Sequence, residues 1–360
     1  MVKLSSLIGL VTAGICTYAS PSSLSTRGGH KECPPFKKGT FVIDSYQLYP
    51  ENADWDPDSC QLLIGSVWNG TVVIYDPYKD KVTSVLEYPG VSYTATYHIG
   101  GVAWDPYTGL YTILTDPAAS WATGGADVSG DHLIIKHNPK TKTTLWSLNM
   151  TVATGGRYGG FQDIETDRRG NTYVVGTWPG TIMRADARGK AVKPWYVPDP
   201  LPPTTQKGFS GLASVGENLL SVDGDGQIYR FDMRDAKKGT PVLVPIRPKV
   251  LYNETDAIYA PPMYGGSVLL VATWTHGIQV LRSRDKSWKT AEYLGTVPLP
   301  TDSPLYDGGA GVAVTQIGPD AIYIIFGFID FPFVEGTVAG PRSLFPMPDI
   351  TARVERLLRK

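Results

Sequence analysis

The stretch Phe161–Asp186, FQDIETDRRGNTYVVGTWPGTIMRAD, decides the fold. It reads as three short strands, Gln162–Asp167, Thr172–Thr177 and Thr181–Asp186, the second rich in β-branched residues. The turns between them are Arg168-Arg169-Gly170-Asn171 and Pro179-Gly180. Glycine in each supplies the positive φ of a tight hairpin. Three strands cannot bury both faces of their own sheet, so the unit makes sense only if it recurs.

It recurs along the chain. Ala53–Asp76 reads ADWDPDSCQLLIGSVWNGTVVIYD, and GVAWDP at 101–106 is followed by LYTILT at 110–115. Gly211–Asp232 reads GLASVGENLLSVDGDGQIYRFD, Ala257–Leu281 contains SVLLVATWTHGIQVL, and Gly311–Phe328 reads GVAVTQIGPDAIYIIFGF. The copies start about 46 to 59 residues apart, a spacing suited to four-stranded blades. The expectation is an all-β chain, a six-bladed β-propeller over residues 40–340. Strand signal in the last copy runs out near Val338, so Phe41–Gln47 is expected to supply the outer strand of the last blade and remove an exposed edge. Residues 341–360 form a tail whose stretch Pro348–Leu358 reads as a short helix.

Met1-Val2-Lys3 followed by the apolar run Leu7–Ala19 has the form of a signal peptide, 1–19, with cleavage before Ser20. Residues 20–39 are a polar tether. Removing the signal leaves Cys33 and Cys60, either a disulfide stapling the N-terminal segment to the first blade or two buried thiols. Asn69, Asn149 and Asn253 head glycosylation sequons. No stretch approaches the roughly 18 apolar residues of a membrane span. The net charge of −1 comes from scattered rather than clustered basic residues, which argues against a nucleic-acid partner.

In a propeller, the starts of the innermost strands and the hairpins between second and third strands share one face, where the central channel opens. Sequence places Glu51, His98, Phe161, Gln162, Asp163, Phe209, Ser210, Asp256 and Tyr306 at strand starts on that face. Trp68, Trp178, Trp274 and the 116–130 insertion carrying Trp121 fall in its hairpins. The tryptophans are either a packing position encoded by the repeat or the walls of an aromatic pocket for a small molecule. His98 is either a hydrogen-bonding or proton-transferring group of the pocket or a structural residue. No phosphate loop, nucleophile elbow or metalloprotease helix is present.

The polar set Glu51, Gln162, Ser210 and Asp256 resembles the calcium-dependent lactonase propellers of the gluconolactonase type, whose metal is held by a Glu, two Asn and an Asp. Two of those four positions are altered here. A metal, if one binds, would take Glu51, Gln162 and Asp256. The whole pattern (signal, GVAWDP, GFQDIETD and GFSGLASV blades, Trp-Asn-Gly and Trp-Pro-Gly hairpins) is similar to propellers of fungal secondary-metabolite clusters that include the hetero-Diels–Alderases of tropolone–sesquiterpenoid biosynthesis. That resemblance implies a secreted-type enzyme without a cofactor. It would join an ortho-quinone methide to an alkene of a humulene-type sesquiterpene. On this reading Trp68, Trp121, Phe161, Trp178, Phe209, Trp274 and Tyr306 wall the pocket. His98 and Gln162 bond the oxygenated ring, and Asp163 or Asp256 moves the proton.

Overall fold

Turns marked by aspartate end the inner strands. Asp56 accepts the N–H of Asp58 at 2.8 Å, Asp105 that of Tyr107 at 2.9 Å and Asp167 that of Arg169 at 2.8 Å, so the side chain closes each turn two residues on. This is the physical content of the repeated Asp-Pro and Asp-Arg signals. The protein is seen here as a computed structural model that describes residues 32–250 and 252–359. The expected signal peptide, 1–19, and most of the expected tether, 20–39, lie outside the described residues.

Five antiparallel blades are complete. The first is Pro50–Asp56, Gln61–Ser66, Thr71–Asp76 and Lys81–Leu86. The second is Tyr97–Trp104, Tyr111–Pro117, Leu133–Asn138 and Thr143–Asn149. The third is Gly159–Thr166, Thr172–Trp178, Thr181–Ala185 and Val192–Tyr196. The fourth is Gly211–Val215, Asn218–Val222, Ile228–Asp232 and Val242–Val244. The fifth is Thr255–Tyr259, Val268–Thr273, Gly277–Arg282 and Ala291–Val297, with Ile246–Arg247 added in parallel at its edge.

The expected ring of six complete blades is therefore corrected to five. The last repeat is a two-stranded hairpin, Gly309–Ile317 with Ala321–Phe328, beside a separate two-stranded sheet pairing Phe41–Asp44 with Leu344–Met347. The N-terminal strand does reach the C-terminal one, with Phe41 opposite Met347. Two hydrogen bonds join the two sheets, Ile324 N–H to the Pro348 carbonyl at 3.1 Å and Ile350 N–H to the Ile322 carbonyl at 2.9 Å. Pro346 and Pro348 have no N–H to give a continuous ladder.

The inner strands of the five blades and the hairpin strand Gly309–Ile317 pack side by side in a closed cycle. Glycine makes this approach close enough. A Cβ on Gly101 would lie 2.6 Å from the Gln162 carbonyl oxygen, and one on Gly211 would lie 2.6 Å from the Ile258 nitrogen. Apolar layers fill the spaces between blades: Leu63, Val72 and Ile74 meet Ile99, Val102 and Ile113, and Val175 and Ile182 meet Leu212 and Leu219. Cys33 and Cys60 form a disulfide. By chain entropy, a loop with a sequence separation of 27 stabilises by about 3–4 kcal/mol.

Candidate functional site: the channel mouth

Antiparallel register puts the first residues of all the inner strands at one end of the channel, opposite the hairpin residues. Pro50 pairs with Ser66, Tyr97 with Pro117, Gly159 with Trp178 and Thr255 with Thr273. At this mouth the structure joins the third and fifth blades through one carboxylate. Asp256 Oδ1 accepts from Gln162 Nε2 at 2.8 Å and Oδ2 accepts from Trp274 Nε1 at 2.6 Å. Gln162 is itself fixed by Thr177, whose hydroxyl donates to Oε1 at 2.9 Å. Burial raises the Asp256 carboxyl above the usual range, and the Lys207 ammonium with the hydrogen bonds from Trp274 and Gln162 works against that shift in favour of the charged form.

Glu51 lies close enough to Asp256 for the two to titrate together. Burial, then the charge of Asp256, holds the Glu51 carboxyl well above the usual range. With indole, amide and ammonium all serving Asp256, the anion rests there and the proton on Glu51. His98 is buried and packs edge-on against Trp68 with ring centroids 4.9 Å apart. Burial lowers it to about 4, so it is a neutral imidazole.

The mouth gathers Trp68, His98, Gln162, Asp256 and Trp274, but not every expected wall residue. Phe161 is fully buried, edge-on to His132 at 5.2 Å, and Phe209 packs on Tyr196, Tyr229 and Phe231. Both rings fill spaces between blades. Trp121 and Trp178 form a second aromatic pair 6.1 Å apart, and Trp121 Nε1 donates to Asp116 at 2.7 Å. Tyr306 lies against Phe326 at 5.5 Å. Asp163 is spent on main-chain N–H groups of Ile164 and Leu212, both at 2.8 Å, and so clasps the third blade to the fourth. Sequence reading gave Lys207 and Thr177 no role. Lys207 stands just before the GFSGLASV strand start, the one signal that placed it at the mouth.

The calcium implied by the lactonase likeness calls for six to eight oxygens. Here both Asp256 oxygens already accept hydrogen bonds, Gln162 turns its NH2 toward that carboxylate, and the Ser210 hydroxyl donates to the Asp256 carbonyl at 3.1 Å. The donor set does not fit such an ion. Among the described residues no group of three or more His, Cys, Asp or Glu is arranged to hold a metal.

Along the inner strands, a cavity of about 70 Å³ is lined by Asn52, Asp54, Asp163, Glu165 and Tyr259, among others. Burial raises Asp54 and Glu165 each to about 7, with Asp56 and Glu165 adding to the first and Asp105 to the second. Asp116, beside His132 at 3.2 Å, is raised to about 8 by burial. Carboxyls protonated in the fold but ionised in the unfolded chain make the fold bind more protons. The stability these groups contribute is full below about pH 4 and is lost as pH rises through 7–8. Thermal melts are expected to give a Tm several degrees higher at pH 5 than at pH 8. A flat or rising profile would show that these acids are ionised in the fold.

Asn253 is exposed, whereas Asn149 caps the helix Met150–Thr154 and its Nδ2 donates to Asp131 at 2.7 Å. Asn69 Nδ2 donates to the Gln47 carbonyl at 3.0 Å. Among the described residues no helix is long and apolar enough to cross a membrane.

No family model matches the chain. It is 34% identical over 373 residues to trichothecene biosynthesis protein 14 of Trichoderma arundinaceum, with 99% of both chains covered. It is 30% identical over 347 residues to core trichothecene cluster protein 14 of Fusarium sporotrichioides, covering 92% of this chain and 90% of that one. Among solved structures, the Malassezia sympodialis allergen Mala s 1 aligns with a TM-score of 0.70 at 21% identity, over 86% of this chain and 95% of the allergen. A gluconolactonase from Xanthomonas campestris aligns with a TM-score of 0.51 at 16% identity, over 86% and 89% of the two chains. These two likenesses show the propeller fold. With relatives matched almost end to end, the chain belongs to the family of trichothecene cluster protein 14, a group of fungal secondary-metabolite-cluster proteins.

Proposed function

We propose that this protein is a biosynthetic cyclase that needs no organic cofactor and acts on an oxygenated, sesquiterpenoid-class substrate at the channel mouth. The observation that carries the reading is the buried Asp256 carboxylate, held by the Gln162 amide and the Trp274 indole, with the Glu51 carboxyl near it raised by burial and by the charge of Asp256. The names of the relatives, which concern trichothecene biosynthesis, support the substrate class.

The chemistry follows from that arrangement. Glu51 gives its proton to a substrate hydroxyl, the C–O bond breaks with its electron pair going to oxygen, and water leaves. A second hydroxyl of the substrate returns a proton to the Glu51 carboxylate, which restores the pair. In the form implied by the hetero-Diels–Alderase resemblance, the product of this dehydration is an ortho-quinone methide. Its C=C–C=O unit forms one C–C and one C–O bond to a sesquiterpene alkene and closes a dihydropyran. Gln162 and neutral His98 orient the oxygenated end, and holding two apolar partners together supplies several kcal/mol.

The same proposal places the protein in the secretory pathway, with cleavage before Ser20 and a glycan on exposed Asn253. The intact mass of protein secreted from a fungal host tests the last two points together; retention of residues 1–19 or an unmodified Asn253 overturns them.

The activity is tested by incubating purified protein with hydroxylated sesquiterpenoids, with and without a quinone-methide precursor. A protein-dependent product one water lighter than the summed reactants supports the reading. Unchanged substrate across both sets sinks it.

A further inference from the structure

Between the strand ending at Phe328 and the strand starting at Leu344 runs a segment that belongs to no sheet. Both of its ends are tied down. Arg342 lies over the Phe328 ring at 3.8 Å and donates to both oxygens of Asp330, at 2.7 and 3.0 Å, while the Tyr49 hydroxyl donates to Asp330 at 2.9 Å. Gln47 Nε2 reaches the carbonyls of Ala339 and Gly340, each at 3.1 Å. Two large apolar side chains flanking the Asp330 anchor are exposed, Ile329 at 58% and Phe331 at 69%.

This exposed part is continuous with the channel mouth. Phe331 stacks on Phe333 at 4.9 Å, Phe333 meets Trp68 at 5.3 Å, and Trp68 is the residue packed on His98. The segment borders an open, shallow surface groove lined by residues 329–334 with Pro341 and Arg342. The charged groups at its wall, Asp330 and Arg342, neutralise each other. A charged ligand gains nothing there, and an apolar one covers side chains that otherwise face water.

We propose that this strap, residues 329–342, is a binding subsite for the neutral hydrocarbon body of a terpenoid-sized molecule, which it passes to the mouth along the Phe331–Phe333–Trp68 surface. The identity of the occupant rests on the cyclase reading; the subsite rests on the geometry. Phe331 and Ile329 are the specificity-setting contacts. Trp68 is the shared wall between subsite and mouth.

The test uses the full mature chain and farnesol, a C15 isoprenoid alcohol, as the probe, followed by equilibrium dialysis and by photolabelling with a diazirine analogue. Farnesol is expected to bind the wild type. Phe331→Asp and Ile329→Ser are expected to weaken binding at least tenfold, and Phe331→Leu to retain most of it. Leu145→Asp, at a half-exposed apolar residue on an outer strand, is expected to leave binding unchanged. The photolabel should fall on peptides from 329–342. Melting curves of each variant control for folding, and both altered side chains are largely solvent-facing.

The proposal is overturned if wild type does not bind farnesol, if Phe331→Asp binds as tightly as wild type, or if the label lies on the outer strands. Farnesol held at the strap while no oxygenated sesquiterpenoid is turned over sinks the cyclase reading and leaves the subsite standing. Turnover that is indifferent to Phe331→Asp does the reverse.

Discussion

Lys136→Met is expected to cost the fold about 3–5 kcal/mol. Lys136 stands on the third strand of the second blade, 3% exposed, and its ammonium donates to Asp105 and to the Thr112 hydroxyl, both at 2.9 Å. Asp105 is itself only 1% exposed. Removing the ammonium leaves a carboxylate enclosed between strands with the turn N–H groups of Tyr107 and Thr108 and the Thr108 hydroxyl as remaining donors. The double variant Lys136→Met, Asp105→Asn removes the stranded charge and should recover a good part of the loss. Urea denaturation measures both. A single-variant loss under 1 kcal/mol would mean that water reaches the pair.

The second large effect is on activity. Asp256→Ala is expected to lower turnover by about 10²- to 10⁴-fold, the range for loss of a general acid–base partner. The reason is positional as well as electrostatic. Asp256 is the one group that ties Gln162 of the third blade to Trp274 of the fifth, and its charge keeps the proton on Glu51. Trp274→Phe keeps the aromatic surface and loses only the 2.6 Å hydrogen bond, so a smaller fall, about tenfold, should accompany an altered pH–rate profile. Rates followed from pH 5 to 9 distinguish the two variants. Full turnover by Asp256→Ala would remove this carboxylate from the chemistry.

The repeat was legible because a propeller writes the same physical instruction several times. Gly101 and Gly211 stand where inner strands crowd, and Asp56, Asp105 and Asp167 stand where those strands must turn. The incomplete last blade was not legible. Gly309–Phe328 reads like its siblings, and the prolines that interrupt its ladder lie beyond a long excursion in the sequence. Site residues at strand starts could be placed on the correct face by counting. Which way each side chain points depends on register and bulges. The register shift between Phe161 and Asp163 is one case: Phe161 goes into the core, Gln162 to the mouth, and Asp163 to the Leu212 N–H. Phe209 shows the same limit, since an aromatic at a strand start serves the interblade core as readily as a pocket.

The pairing of Phe41–Asp44 with Leu344–Met347 also sets a timetable. A ribosome delivers the first of these strands almost a whole chain before the second. At about 5–20 residues per second the wait is roughly 15–60 seconds. For that interval Phe41 and Ile43, buried in the finished protein, have no partner strand to cover them. The nascent chain thus carries an adhesive leading edge for most of its synthesis, and the residues that silence it are among the last to emerge. Premature termination anywhere before Leu344 would release a product with that edge still bare, a substrate for holding chaperones rather than a smaller working propeller.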